Sequence, residues 1–188
     1  MVQDGERLYV GNRDGNVFSL ALTTGELVAQ FESGPLSGGL TLDKDSLWAA
    51  TEEGSLFQLE RETLSPVQRI QVEGPIVAAP LVLENLVVVA SQSRQVLALS
   101  SGTGEVRWRF RSEGPVEADP VEFEGAIIVV GASGDGRVYV IDPGSGEGTA
   151  RFKAGGRIAE APHASAGQLL ITSDDGVLYA FSSVVEAR

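Results

Sequence analysis

The stretch that decides the fold is Leu86-Val87-Val88-Val89-Ala90, the turn Ser93-Arg94, and then Gln95-Val96-Leu97-Ala98-Leu99-Ser100-Ser101-Gly102-Thr103-Gly104-Glu105-Val106-Arg107-Trp108-Arg109-Phe110. It reads as a short β-branched strand, a tight turn, an alternating strand, a glycine turn and a third strand carrying alternate aromatics. The same turn recurs as Asp14-Gly15, Glu53-Gly54, Asp135-Gly136 and Asp175-Gly176, with second members 39, 40, 42 and 40 residues apart. Three residues after each turn stand Phe18, Phe57, Leu97, Tyr139 and Tyr179, and five after each stand Leu20, Leu59, Leu99, Ile141 and Phe181. Offsets of three and five fall on one face of a strand, because side chains alternate with period two.

The repeat extends in both directions. Before each turn lies an apolar run: Leu8-Tyr9-Val10, Leu47-Trp48-Ala49, Val87-Val88-Val89, Ile128-Val129-Val130 and Leu169-Leu170-Ile171. Sixteen residues after the turn stand Phe31, Ile70, Phe110 and Phe152. A glycine turn at the tenth position (Gly25, Gly104, Gly146) is replaced by Leu64 in the second repeat. Junctions Gly34-Pro35, Gly74-Pro75, Gly114-Pro115 and Gly156-Arg157 lead into small residues, and Pro80, Pro120 and Pro162 recur there. Proline without a ladder donor, among small residues, predicts a strand with one free edge where backbones approach closely. Four strands per repeat of about 40 residues, with no sustained helical period, predict an all-β propeller of about five four-stranded blades. The expected blades are 1–33, 34–73, 74–113, 114–155 and 156–188 within one domain, 1–188. Met1-Val2-Gln3 is the expected innermost strand of the first, and Val184–Arg188 a short outer strand of the last. Such a chain closes as a five-bladed ring, the arrangement preferred here, or forms an open arc of a larger propeller completed by dimerisation.

Composition narrows the chemistry. The chain has 188 residues, 14 basic and 26 acidic, for a formal net charge of -12. Nucleic acid is excluded as a partner for want of a basic footprint. The absence of cysteine removes disulfides, thiolate nucleophiles and cysteine-ligated metals. The N-terminus lacks the basic and apolar segments of a signal peptide, though a leader or neighbouring domains could have been removed. The longest apolar runs are far too short to span a bilayer as helix.

The stretch over 87–110 resembles the repeat of quinoprotein-type (PQQ-like) β-propellers, with its Leu-Ala-Leu strand, Thr-Gly turn and Trp-x-Phe strand. The resemblance covers nearly the whole chain. It implies that Trp108 docks between neighbouring blades near a turn of the adjacent unit, with Gly104, Phe110, Phe31 and Phe152 as further structural residues. Ala29, Gln68 and Ala150 replace the tryptophan elsewhere, which implies thinner packing between those blades. Enzymatic members of the family hold a quinone between a tryptophan and a vicinal disulfide, with calcium or a lanthanide and a catalytic aspartate. Here no cysteine exists, five repeats replace the family's eight, and no motif marks such an aspartate. The resemblance therefore implies a non-catalytic scaffold or sensor, like the outer-membrane assembly lipoproteins and kinase-attached sensors, in an extracytoplasmic compartment. A fragment of a quinone-dependent dehydrogenase is the alternative. No catalytic residue, cofactor or metal site is assigned.

Glu117, Asp119 and Glu160, with His163 nearby, fall on the expected inner strands and form a candidate channel or interaction surface. Carboxylates there suit a cation or a basic partner, but the favoured reading of Glu117 and Glu160 is solvated channel residues in an acidic protein. Ser133-Gly134-Asp135-Gly136 and Gly144-Ser145-Gly146 read as turns, not phosphate loops. Trp48 reads as a half-buried strand aromatic. Arg107, Arg109 and Arg111 alternate with Trp108 and Phe110 on an outer strand and read as a solvated edge.

Overall fold

The computed structural model describes residues 1–131, 136–158 and 160–182. Its strands are β1 (Val2–Gln3), β2 (Arg7–Gly11), β3 (Asn16–Ala21), β4 (Leu27–Glu32), β5 (Leu40–Leu42), β6 (Ser46–Ala50), β7 (Ser55–Glu60), β8 (Pro66–Gln71), β9 (Leu81–Leu83), β10 (Leu86–Ala90), β11 (Gln95–Ser100), β12 (Val106–Arg111), β13 (Val121–Phe123), β14 (Ala126–Val130), β15 (Arg137–Ile141), β16 (Gly148–Lys153), β17 (His163–Ser165), β18 (Gln168–Thr172) and β19 (Leu178–Phe181). They form antiparallel meanders in chain order: β1–β4, β5–β8, β9–β12, β13–β16 and, among the described residues, the three-stranded β17–β19. The expected innermost strand at Val2–Gln3 is present and pairs with β2. The expected outer strand over 184–188 lies outside the described residues, as do Asp135 of the fourth turn and Ser133-Gly134 beside it.

Each interior sheet is apolar on both faces, and the alternation assigns each side chain to one seam. Leu47, Ala49, Phe57 and Leu59 of the second sheet pack back against Tyr9 and Val17 of the first. Trp48, Ala50 and Leu56 pack forward against Val87, Val89, Leu97 and Leu99 of the third. Equivalent clusters fill the third seam (Val88 and Trp108 against Ile127, Val129, Tyr139) and the fourth (Ile128 and Val138 against Leu169, Ile171). Trp48 is thus wholly buried, not half-buried. Across three seams the ring at offset sixteen meets the ring at offset three of the next sheet edge to face: Phe31 on Phe57 at 5.1 Å, Phe110 on Tyr139 at 5.4 Å, Phe152 on Tyr179 at 4.7 Å. Such T-shaped pairs add to the area they bury.

No comparable cluster joins the last sheet to the first among the described residues. Leu8, Val10, Phe18 and Leu20 occupy the positions of Leu47, Ala49, Phe57 and Leu59, yet they are half-exposed where their counterparts are buried. At the other end Leu170 is half-exposed and Leu178 is exposed. The preferred reading of a closed five-bladed ring finds no fifth seam here, because neither terminal face has a sheet packed on it.

Two turns depart from the glycine rule for opposite reasons. Arg94 holds φ 65 where the other repeats place Gly15, Gly54, Gly136 and Gly176. Its side chain is exposed, so nothing offsets the strain of a left-handed residue. Leu64 holds φ 57 at the place of Gly25, Gly104 and Gly146, but is 1% exposed and packs in the first seam. Burial of a leucine, about 1.5–3 kcal/mol, outweighs about 1 kcal/mol of backbone strain.

Leu64 also corrects the expectation of thin packing. Where the first sheet offers only Ala29, the second sheet's turn adds Leu64 to the seam cluster against which Ala29 packs. In the next seam Gln68 takes the docking position; a Cβ on Gly104 would lie 2.5 Å from its Oε1. In the third, Trp108 lies over Gly146, where a Cβ would meet Cγ at 2.5 Å, and its Nε1–H donates to the Pro143 carbonyl at 2.8 Å. Large-on-small pairing survives while the identity of the large partner changes sides.

A polar clasp reinforces the first seam. The Tyr9 hydroxyl donates to Asp4 Oδ2 at 3.0 Å, Arg61 stands 3.8 Å from the same oxygen, and Arg7 pairs with Glu62 at 3.3 Å. Burial raises the Tyr9 hydroxyl to about 12, reinforced by the hydrogen bond to Asp4 and that carboxylate's charge. Burial alone would raise Asp4, but hydrogen bonds from the Arg7 and Glu6 amides and from Tyr9 outweigh it and hold the carboxyl below its ordinary value.

Arg94→Gly is expected to raise stability by about 0.5–1 kcal/mol and Leu64→Gly to lower it by about 1–2 kcal/mol, read from denaturant midpoints. Gly146→Ala should cost about 2–3 kcal/mol, shrinking to about 1 kcal/mol in a Trp108→Gly background, which removes the indole and the Trp108 Cβ that would lie 2.7 Å away; a double-mutant cycle reads the difference. Because Tyr9 ionises later in the folded chain, its contribution is intact below pH about 10 and lost as pH rises through about 12. The stability gap between wild type and Tyr9→Phe should therefore narrow across that window in alkaline unfolding curves.

Candidate functional site

The crossovers between sheets bring the candidate residues to one end of the molecule. Each Gly-Pro segment spans two successive hairpin turns through its backbone. The Leu36 N–H donates to the Asn12 carbonyl at 3.2 Å, while the Pro35 carbonyl accepts from the Glu52 N–H at 2.9 Å. The pattern repeats with Ile76 to Thr51 and Gln92 to Pro75, and in part with Val116 to Ser91 and Asp174 to Arg157. Leu36, Ile76, Val116 and Ile158 are buried plugs of successive seams. The small residues that follow are required by close approach. A Cβ on Gly38 would lie 2.9 Å from the Ala78 carbonyl oxygen, and one on Gly39 2.7 Å from the Ala79 Cβ. Buried Pro80, Pro120 and Pro162 each sit just before an innermost strand.

On this frame the predicted residues are held apart by separate partners. Glu117 accepts from Gln92 Nε2 at 3.0 Å and pairs with Arg157 at 2.8 Å, linking the third, fourth and fifth units. Asp119 accepts from the Ala79 N–H at 2.6 Å, tying its segment to the preceding one. Glu160 accepts from the Thr172 hydroxyl at 3.3 Å within the last unit. His163 lies exposed on β17 opposite Leu170, on the open face of the last sheet. Ala159, beside Glu160, lies outside the described residues. Among the described residues no three His, Cys, Asp or Glu side chains come together as a metal set. The carboxylates act chemically as acceptors for crossover donors, with Glu117 partly exposed at the rim.

Sequence reasoning missed two features of this end. Ser37 donates to Glu52 at the first seam, signalled only by a polar residue following a Gly-Pro junction. It also missed Arg157 as the counter-ion of Glu117, since their separation of 40 residues is one repeat length. Elsewhere a cleft of about 650 Å³ opens between the second and third sheets, lined by Asp43, Lys44, Asp45, Gln58, Glu84 and Ser101 among others.

A family profile described as outer membrane protein assembly factor BamB matches residues 13–122 and 108–185. The outer membrane protein assembly factor BamB of Burkholderia pseudomallei (strain K96243) is 30% identical over 109 residues, covering 57% of this chain and 28% of that protein. The crystal structure of BamB from Moraxella catarrhalis superposes with TM-score 0.84 at 20% identity, over 96% of this chain and 56% of that one. The computationally designed Ika8 protein gives 0.84 at 16% identity with the same coverage. The designed Ika4 protein gives 0.74 at 14% identity, over 84% of this chain and 98% of that one. The chain thus spans little more than half the length of the first two structures and under a third of the curated relative. With the five-fold repeat, the stacked meanders and the profile match along most of its length, the chain belongs to the PQQ-like β-propeller family described by outer membrane protein assembly factor BamB.

Proposed function

We propose that this chain is a non-catalytic propeller scaffold, built as an open arc, whose acidic inner rim receives a basic protein partner in an extracytoplasmic compartment. The observation that carries the scaffold reading is how the rim carboxylates are used. Glu117 and Asp119 secure crossovers between units and do not converge on a reacting centre. A rigid frame with charge left at its rim steers and orients a partner. Family membership supports the same reading, as does the description of the relatives as outer membrane protein assembly factors, which also motivates the compartment. Residues 1–188 form one domain divided at the Gly-Pro and Gly-Arg junctions.

The arc reading is supported by the two uncovered end faces and by coverage. Five sheets superpose closely on 56% of larger chains, which supports a step from sheet to sheet drawn from a larger ring. Further sheets, or a second copy, would then complete the ring.

Two measurements test this. Solution mass combined with small-angle scattering should return a curved, open envelope or a dimer enclosing one larger ring. A monomeric closed disc of five sheets would overturn the arc. Incubation with quinone and calcium, followed by desalting, should leave no cofactor absorbance with the protein; retained quinone would overturn the non-catalytic reading.

A further inference from the structure

Basic residues are unevenly placed on this acidic chain. The four outer strands β4, β8, β12 and β16 hold six of its 14 basic residues and one, Glu32, of its 26 acidic ones. The concentration peaks on β12, where Arg107, Arg109 and Arg111 are all exposed. Exposed Arg94 stands beside the end of this row, because Gln95 is the cross-strand partner of Arg111. None of these four joins an ion pair among the described residues, whereas Arg7, Arg61, Arg137 and Arg157 all do. Glu105 and Glu113 bound the row in sequence.

Edge protection accounts for a basic residue on an outer strand, but not for three arginines concentrated on one strand of four while β8 carries only Arg69 and β4 none. Instead β4 ends in Glu32 and leaves Leu27 and Val28 exposed. Arginines at every second position also repel one another along a single face. Among the described residues its sheet has no strand beyond β12, which leaves one side of the β12 backbone as the sheet edge.

We infer that β12 is a docking edge for an acidic, extended polypeptide segment. The segment adds as a further strand and sets carboxylates across from Arg109 and Arg111. Alternate residues of two paired strands share the same spacing, which matches carboxylates to Arg109 and Arg111, while Arg107 sits where the register with β11 shifts and flanks the paired stretch. A nucleic acid or an anionic bilayer needs a broad positive field, which a chain of net charge -12 opposes. A short acidic strand engages the row within about a Debye length, roughly 8–10 Å, and is shielded from the rest. The surface is separate from the acidic inner rim, and its test is independent of that reading.

The experiment is fluorescence anisotropy with a labelled peptide alternating Glu and Thr, titrated with the whole chain at low and physiological salt. The same peptide N-methylated at alternate backbone positions, a Lys-Thr peptide, oligo(dT) and phosphatidylglycerol vesicles serve as comparators. Binding of the Glu-Thr peptide should weaken about tenfold or more in the combined Arg107→Gln, Arg109→Gln, Arg111→Gln variant, and less than about twofold in an Arg13→Gln, Lys44→Gln variant that loses charge elsewhere. N-methylation should abolish it. These positions are exposed, and an unchanged melting midpoint verifies that the variants fold. No binding at low salt, equal binding by the triple variant, equal binding of the methylated peptide, or tighter capture of oligo(dT) or vesicles through the same arginines would each overturn the proposal.

Discussion

Every interior sheet of this protein is apolar on both faces, and none can exist without a neighbour on each side. Trp48 and Leu47 are adjacent residues of β6, yet they belong to different cores, one shared with the sheet ahead and one with the sheet behind. Stability is therefore a property of seams. This requirement explains why the end faces matter: Phe18 and Leu20 carry the same residue types as Phe57 and Leu59 but lack the sheet that buries the latter.

Seams must also be held in register, and that falls to the backbone at the crossovers. A Gly-Pro segment is well suited, since proline needs no hydrogen-bond donor of its own and its carbonyl is left to accept from the next turn. The neighbouring plug, Leu36, Ile76 or Val116, donates its amide to the previous turn and places its side chain in the seam. One short segment thus sets both the polar and the apolar contact between two sheets. The acidic residues at the rim extend this arrangement, with Glu117 facing Arg157 and Gln92.

Charge follows a different logic from packing. The seams are neutral and the turns acidic, while the outer strands of the middle sheets are basic. Edge positions are the only places on a packed sheet where charge can vary without touching the core, so the sign found there is free to serve a partner.

The repeat made the strand order, the turn positions and the aromatic spacing legible from sequence alone, because period-two alternation and residues that tolerate left-handed turns are local properties. The family resemblance implied a docking position for Trp108, and the structure sets that ring over Gly146. What remained hidden was complementary across units. Leu64 replaces the turn glycine in sequence but joins the seam cluster on which Ala29 packs, and Gln68, which replaces the tryptophan, stands against Gly104. Glu117 read as a channel residue until Arg157 stood beside it. Each of these pairs is separated by one repeat length, roughly, and only the stacking of successive sheets brings its members together. Whether the ends meet was likewise beyond the sequence, because the angle between sheets is fixed by how seam side chains interlock and not by the strands themselves.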